Sequence, residues 1–212
     1  NVPDTDTIKK YIDREHPRHA VVVGGGFIGL EMAENLHDQG LDIAVVEMAN
    51  QVMAPLDYSM AAIVHQQLIE KKVDLRLEDG VLRFEETDGG IIVHLKSGKQ
   101  IPTDLVILSI GVRPETKLAK EAGLAIGTLG GIAVNDYMQT SDPDIYALGD
   151  AVEVLNPVTG KPALIPLAGP ANKQGRIVAD NIVFGNRETY KGTIGTSIAK
   201  VFDITVAAAG AN

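Results

Sequence analysis

The chain has 212 residues, 45% of them hydrophobic, and a formal net charge of −9. That length and apolar content support a globular core and exclude a disordered chain. The acidic balance, the 4% aromatic content and the lack of tryptophan exclude a nucleic-acid surface built on basic patches and stacked rings.

In chain order, residues 1–17 read as a polar lead-in in which IKKYIDREH forms a short helix ended by Pro17. HAVVVGG (19–25) is a buried strand, a β-branched run closing on glycine. FIGLEMAENLHDQG then has helical spacing, with Phe27, Leu30, Ala33 and Leu36 on one face and Gly40 as C-cap. LDIAVVE (41–47) is a second strand. DYSMAAIVHQQLIEKK (57–72) is a helix with Asp57 at its N-cap and lysines at its end. Residues 73–102 change texture: VDLRLE, GVLRFEE, GIIVHLKSG and KQIP alternate between DG, DGG and SG punctuation, as in an antiparallel meander. DLVILSIG (104–111) returns to a fully buried strand, so the economical arrangement is a parallel sheet. Beyond residue 112 Gly and Pro become frequent. Two short apolar segments, DIYALGD (144–150) and TSIAKVFDITVAAAG (196–210), stand out, with one helix, KQGRIVADNIVFG (173–185), between them. The last apolar segment is expected to end without a strand partner.

No run of ~18 apolar residues marks a membrane span, and no basic-then-apolar opening marks a signal peptide. No membrane partner and a cytoplasmic location are expected. The start at NVPDTDTIKK, without methionine, is expected of a piece of something longer. Cysteine is absent, which excludes disulfides, thiolate metal sites and thiol chemistry carried by the chain itself.

The sharpest motif is VVVGGGFIGLEMAENL. Gly24, Gly26 and Gly29 fit G-x-G-x-x-G, a weak pattern alone. Here it follows a strand, opens a helix and precedes a second strand ending in an acid. Gly24 permits the tight turn, Gly26 lets the backbone approach a pyrophosphate, and Gly29 lets helix and strand pack closely. Free N–H groups at the helix start then face the phosphates. Glu47, 18 residues after Gly29, is placed to accept hydrogen bonds from the adenosine ribose. A 2′-phosphate would meet that carboxylate, and EMANQVM offers no cation to offset it. Hydrogen bonds to charged groups contribute roughly 1.5–3 kcal/mol, so at least a tenfold preference for NADH over NADPH is expected. The plain alternatives are an ordinary β-turn-α glycine cluster and a solvated Glu47.

GGGFIGLE, the meander, ILSIGVRPE, TSDPDIYALGD and PLAGPANKQGRIVADNI, in that order, resemble the flavin- and nicotinamide-dependent disulfide oxidoreductases. Within them they are most similar to the coenzyme A-disulfide reductase and NADH oxidase branch, which includes polysulfide reductases. The resemblance covers essentially the whole chain. It implies an α/β fold: a Rossmann-like NAD(H)-binding domain over 17–135, with a parallel sheet and inserted antiparallel meander, after a lead-in over 1–16. Residues 136–190 would be the return segment of an FAD-binding domain, and 191–212 the truncated start of a dimerisation domain. Residue by residue, Phe27 matches the aromatic beside the nicotinamide pocket, Glu31 the acid near the nicotinamide, and Gly111 the glycine whose backbone lies against NAD, with Ile28 a further cofactor-binding position. Gly149, Asp150 and Ala151 match the flavin contact, with Asp150 on the ribityl chain. Each has a plain alternative: core packing for Phe27, a solvated first-turn acid for Glu31, a turn residue for Asp150.

The resemblance further implies NADH as cofactor, FAD and a homodimer in the full-length protein, and a small-molecule disulfide as substrate. Two family features are missing: a second glycine fingerprint for FAD and the redox cysteine. No catalytic residue is therefore expected in this chain. It is expected to bind NADH, to turn over no disulfide, and to bind FAD weakly or not at all. The rival expectations are an NADH oxidase or peroxidase and a non-catalytic NADH-binding module. The five histidines, His16, His19, His37, His65 and His94, show no metal-ligand spacing and are expected at the surface or in the core. DPDIYALGD reads as turn plus strand, and EETD (85–88) as a solvated hairpin tip.

Overall fold

The computed structural model describes residues 2–210; the first residue of the lead-in and the last two of the final segment lie outside the described residues. Two compact units divide the chain. The first comprises residues 1–111 with 199–206, the second 112–198 with 207–212.

In the first unit, α1 (Val2–Glu15) is longer than the IKKYIDREH helix expected. Pro3 falls in its first turn, where the N–H groups lack intrahelical partners anyway, so it does not delay the start. His16, at a φ of 48°, ends the helix ahead of Pro17. β1 (His19–Val23), α2 (Phe27–Asp38), β2 (Asp42–Val46), α3 (Tyr58–Glu70) and β3 (Asp74–Arg76) follow. Then come β4 (Val81–Thr87), β5 (Gly90–Leu95), β6 (Gln100–Thr103) and β7 (Leu105–Leu108). The parallel sheet runs β3-β2-β1-β7, and the antiparallel sheet runs β4-β5-β6.

Because strand side chains alternate between faces, the valine-rich strands serve two cores. Val21, Val23, Ala44 and Val46 pack with Val93 and Leu95 of the antiparallel sheet. Ala20, Val22, Ile43 and Val45 are equally buried and point to the other face, where α2 lies on β1 and β2, and α3 on β3. On α2, Gly29, Leu30, Ala33 and Leu36 are buried. Phe27 is half-buried, and Gly40 takes the left-handed conformation just past the helix (φ 89°).

Several expectations need correction. DLR of VDLRLE is a parallel edge strand paired with Ala44–Val46, so the meander begins only at Val81. Three alternating residues do not by themselves distinguish an edge strand from a hairpin arm. DLVILSIG is strand only over Leu105–Leu108. It is not fully buried, since Leu108 is 58% and Ile110 75% exposed at the open end of an edge strand. Asp57 holds the N-cap position of α3 without a side-chain cap bond. Glu85 and Glu86 lie on β4 rather than at a tip, and Glu85 pairs with Arg83 and His94.

Asp104 closes the entry to β1. Its Oδ2 accepts the N–H groups of Arg18 (2.8 Å) and His19 (2.9 Å). The His19 bond, then the Arg18 bond, hold its carboxyl below the usual range. A carboxyl depressed on folding adds stability that is complete above its unfolded pKa and is lost as pH falls through the folded value. Asp104→Asn is therefore expected to cost about 1 kcal/mol at pH 7, modest because the carboxylate is partly exposed. The gap from wild type closes below about pH 4. Urea midpoints measured across pH check this, and a gap that persists undiminished into acid refutes it.

In the second unit, α4 (Lys117–Glu121) and β8 (Ile132–Ala133) precede a 3-10 turn at Gly149–Ala151. β9 (Val152–Asn156), β10 (Lys161–Ala163) and α5 (Ala168–Phe184) follow, with the sheet ordered β10-β9-β8. DIYALGD makes a single bridge at Tyr146 before the turn rather than a strand. α5 starts at Ala168, not Lys173, again because a proline, Pro170, is tolerated in a first turn. Its core joins Met138, Val152, Val154, Val178 and Tyr190. Asn181, buried on α5, donates to the carbonyls of Tyr137 and Glu188 and accepts the N–H groups of Arg187 and Glu188.

The last apolar segment finds its strand partner in itself. β11 (Gly195–Val201) and β12 (Ile204–Gly210) form a hairpin around Phe202, whose φ is 52°. The end of that hairpin belongs to the first unit. Glu34 of α2 accepts the Lys200 ammonium and the Phe202 N–H, and Lys71 pairs with Asp203 at 2.7 Å.

Candidate functional site

β1 delivers the chain at Gly24, whose φ of 106° suits glycine. A Cβ there would collide with the Ser109 carbonyl beyond β7. A Cβ on Gly29 would collide with the carbonyl of Gly24 itself, so loop and helix are in backbone contact. Gly26 differs: it is the N-cap of α2, exposed, and a Cβ would meet nothing within 4 Å. The first intrahelical bond runs from the Leu30 N–H to the Gly26 carbonyl (3.0 Å). The N–H groups of Phe27, Ile28 and Gly29 therefore have no intrahelical acceptor, and their partial positive charge favours an anion.

Glu47, one residue past β2, turns back over this loop. Its Oε2 accepts the Gly25 N–H at 2.7 Å, and its Oε1 accepts the Ala49 N–H at 2.8 Å. It is half-buried, not a freely solvated acid. The loop is held from below as well. The Gly25 carbonyl accepts the Met53 N–H at 2.8 Å, and a Cβ on Gly25 would come within 2.7 Å of Val52. The Val52 N–H in turn donates to His65 Nε2 at 3.2 Å. Burial holds the His65 imidazole below its usual pKa, which favours the neutral ring that can accept this bond.

Gly24, Gly26 and Glu47 line a cavity of about 630 Å³ at the carboxyl ends of β1, β2 and β7. That is where open α/β sheets bind ligands, and the size suits a nucleotide. The meander supplies its other wall, Asp79 to Phe84. Ser109, Ile110 and Met48 also line it. The Ser109 hydroxyl is buried without a protein partner among the described residues. Arg83 is tied to Glu85 at 2.7 Å, and Asp79, held by the Ser97 hydroxyl, sits below the usual carboxylate range. The open face at Gly26, the unpartnered first-turn N–H groups and the orphaned Ser109 hydroxyl fit a dinucleotide's phosphates and ribose.

Ile28, 55% exposed, and Glu31, exposed, follow on α2 and do not line the cavity, nor does Phe27. Gly111, exposed with a φ of 105°, ends the first unit. Gly149, Asp150 and Ala151 form the 3-10 turn of the second unit. The Gly149 N–H donates to buried Gln174 of α5 at 2.7 Å, and Asp150 is left exposed. Sequence reasoning missed Met48, Ser109 and the meander wall. The DG at 79–80 was legible only as turn punctuation. Among the described residues no cluster of potential metal ligands exists, and no helix is long and apolar enough to cross a membrane.

The chain is similar to several known proteins. The chain is 32% identical to a coenzyme A disulfide reductase of Staphylococcus haemolyticus, over 99% of this chain and 47% of that protein. It is 38% identical to an NADH oxidase of Methanocaldococcus jannaschii, over 99% of this chain and 46% of the other. The crystal structure of reduced CoADR-RHD from Bacillus anthracis superposes with a TM-score of 0.96 at 58% identity, covering 100% of this chain and 38% of that one. The chain thus spans about half the length of the curated relatives it matches. A family model matches residues 1–175, from the lead-in through the glycine loop, the meander and the 3-10 turn, and with it this chain belongs to the pyridine nucleotide-disulphide oxidoreductases.

Proposed function

We propose that this chain is the nicotinamide-nucleotide-binding portion of a flavin-dependent oxidoreductase, binding NADH and directing its nicotinamide toward FAD. The full-length protein passes the hydride on to a small disulfide, such as coenzyme A disulfide or polysulfide. The observation that carries the reading is the convergence of Gly24, Gly26 at the N-cap of α2, and Glu47 on one cavity. Phosphates lie on the helix start and ribose hydroxyls on Glu47. Phe27 and Glu31 are the proposed nicotinamide-side contacts, and Ile28 and Gly111 are further proposed NAD contacts. Residues 17–135 are proposed as the NAD(H) domain, 136–190 as the return segment of an FAD domain, and 191–212 as the opening of a dimerisation domain that makes the full-length protein a homodimer. Asp150, exposed on a turn anchored by buried Gln174, is the proposed flavin ribityl contact. The protein's part is binding, orientation and electrostatics; the cofactors supply the redox chemistry.

A disulfide-reducing step needs a thiol, which these residues do not carry. An oxygen-reducing reaction is the second reading, supported by the similarity to the M. jannaschii NADH oxidase. Calorimetric titration with NADH and with NADPH tests the common core of both. NADH is expected to bind with a Kd between about 1 μM and 1 mM, tighter than NADPH. Binding of neither nucleotide would overturn the reading, and tighter binding of NADPH would remove the role given to Glu47.

A further inference from the structure

We propose that Lys96 is a specificity-determining residue of this cavity, a cation that receives the 2′-phosphate of NADPH and so narrows the discrimination imposed by Glu47. The inference rests on the nucleotide-binding reading above.

Lys96 follows β5 directly, 49 positions beyond Glu47, and no local pattern connects the two. The antiparallel sheet brings it to the site. Its N–H donates to the carbonyl of Gly80, a cavity-lining residue, at 2.7 Å. Its aliphatic stem lies across Gly80, where an added Cβ would sit 3.2 Å from Cδ and Cε. Its ammonium rests 3.8 Å from the sulfur of Met48, another lining residue and the one that follows Glu47. A ribose held by Glu47 would bring its 2′ oxygen to that carboxylate, and Met48 is the next residue of the same lining.

The charge around the mouth leaves Lys96 available as a partner. Glu47 and Asp79 bring two carboxylates to the lining. The lining cation, Arg83, is engaged with Glu85. Elsewhere Arg76 is held by Asp74, Lys71 by Asp203 and Lys200 by Glu34, whereas Lys96 forms no ion pair among the described residues. Its contacts are backbone and thioether, which fix the stem and leave the ammonium's donors for an anion. A lysine is a compact point charge suited to a phosphate that carries little directional demand.

The test is a pair of titrations, NADH and NADPH, on wild type, Lys96→Met and Lys96→Ala, with Gly26→Ala as the control on the glycine loop. Lys96→Met keeps the apolar stem over Gly80 and Met48, and thermal melts establish that each variant is folded. The wild-type Kd for NADPH is expected within about tenfold of that for NADH. Either Lys96 variant should weaken NADPH by about tenfold, the low end for a hydrogen bond to a charged group, and change NADH by less than about twofold. NADPH affinity should also fall more steeply with salt in wild type than in Lys96→Met, because the ammonium is exposed. If NADH binds in a Gly26-dependent way but neither Lys96 variant alters the NADPH-to-NADH ratio, Lys96 is a solvated lysine resting on Met48 and the inference fails alone. If wild type binds neither nucleotide, the reading of the cavity fails and takes the inference with it.

Discussion

Gly26→Ala is expected to fold like wild type and to bind NADH at least about tenfold more weakly, whereas Gly29→Ala is expected to lose stability first and binding with it. Both are single methyl additions within four residues of one another, and they differ in what the methyl meets. At Gly29 it meets the Gly24 carbonyl oxygen, a backbone atom fixed by the Gly24 N–H bond to the Val46 carbonyl (2.8 Å). Neither partner can swing aside as a side chain would. Helix and strand must separate, an overpacking cost of about 2–3 kcal/mol, or roughly 5–10 °C of melting temperature for a chain of this size. At Gly26 the methyl enters open space, and the φ of −76° is one any residue adopts. The folding cost stays within about 1 kcal/mol, the difference between glycine and alanine at an N-cap. What the methyl occupies is the volume through which a pyrophosphate reaches the first-turn N–H groups. Melting curves and NADH titrations of the two variants check the contrast. Wild-type NADH affinity in a folded Gly26→Ala protein would show that the phosphates do not lie on this loop.

Glu47→Gln is expected to cost about 1–3 kcal/mol of stability and to weaken NADH about tenfold, while raising the relative affinity for NADPH. The carboxylate accepts two backbone N–H groups through its two oxygens, from Gly25 and from Ala49. Glutamine has one acceptor oxygen and one NH2, so one of those N–H groups would face a donor. The loop would be held less firmly at the point where it must present Gly26. The negative charge that repels a 2′-phosphate is removed as well, so the ratio of the two nucleotides should shift by about tenfold toward NADPH. Melting temperatures and paired titrations give both readouts. Unchanged NADH affinity with reduced stability would confine Glu47 to a structural role.

The two charge changes act on opposite sides of the same discrimination. Removing Glu47's charge favours NADPH; removing Lys96's disfavours it. Only the first was foreseeable from neighbours in the chain, because EMANQVM contains the acid and no cation.

Much of the fold was legible locally. VVVGGG followed by FIGLEMAENL specified strand, turn and helix, because β-branched runs, glycine punctuation and a 3.6-residue apolar period are each set by nearest neighbours. Gly24, Gly26, Gly29 and Glu47 were legible for the same reason, since the loop and the acid are spaced by a single β-α-β unit. The errors fell where local pattern underdetermines the partner. DLR alternates as a hairpin arm would, yet its hydrogen bonds go to Ala44–Val46. TSIAKVFDITVAAAG reads as one apolar strand, yet it folds on itself at Phe202. Leu108 and Ile110 belong to a run that reads as core, yet they stand exposed past the end of an edge strand.

The sequence by itself determined the parallel α/β unit, the phosphate-type loop and the absence of any thiol, since these follow from composition and from spacings shorter than one supersecondary unit. Tertiary structure alone decided the rest of the site. It tied Glu47 to Gly25, laid the Asp79–Phe84 wall across the sheet's carboxyl end, and set Lys96 beside Met48. Each of those contacts joins residues more than 20 positions apart, or arises from how an antiparallel sheet packs on a parallel one. Such packing is settled by the whole buried surface, and no short stretch of chain encodes it.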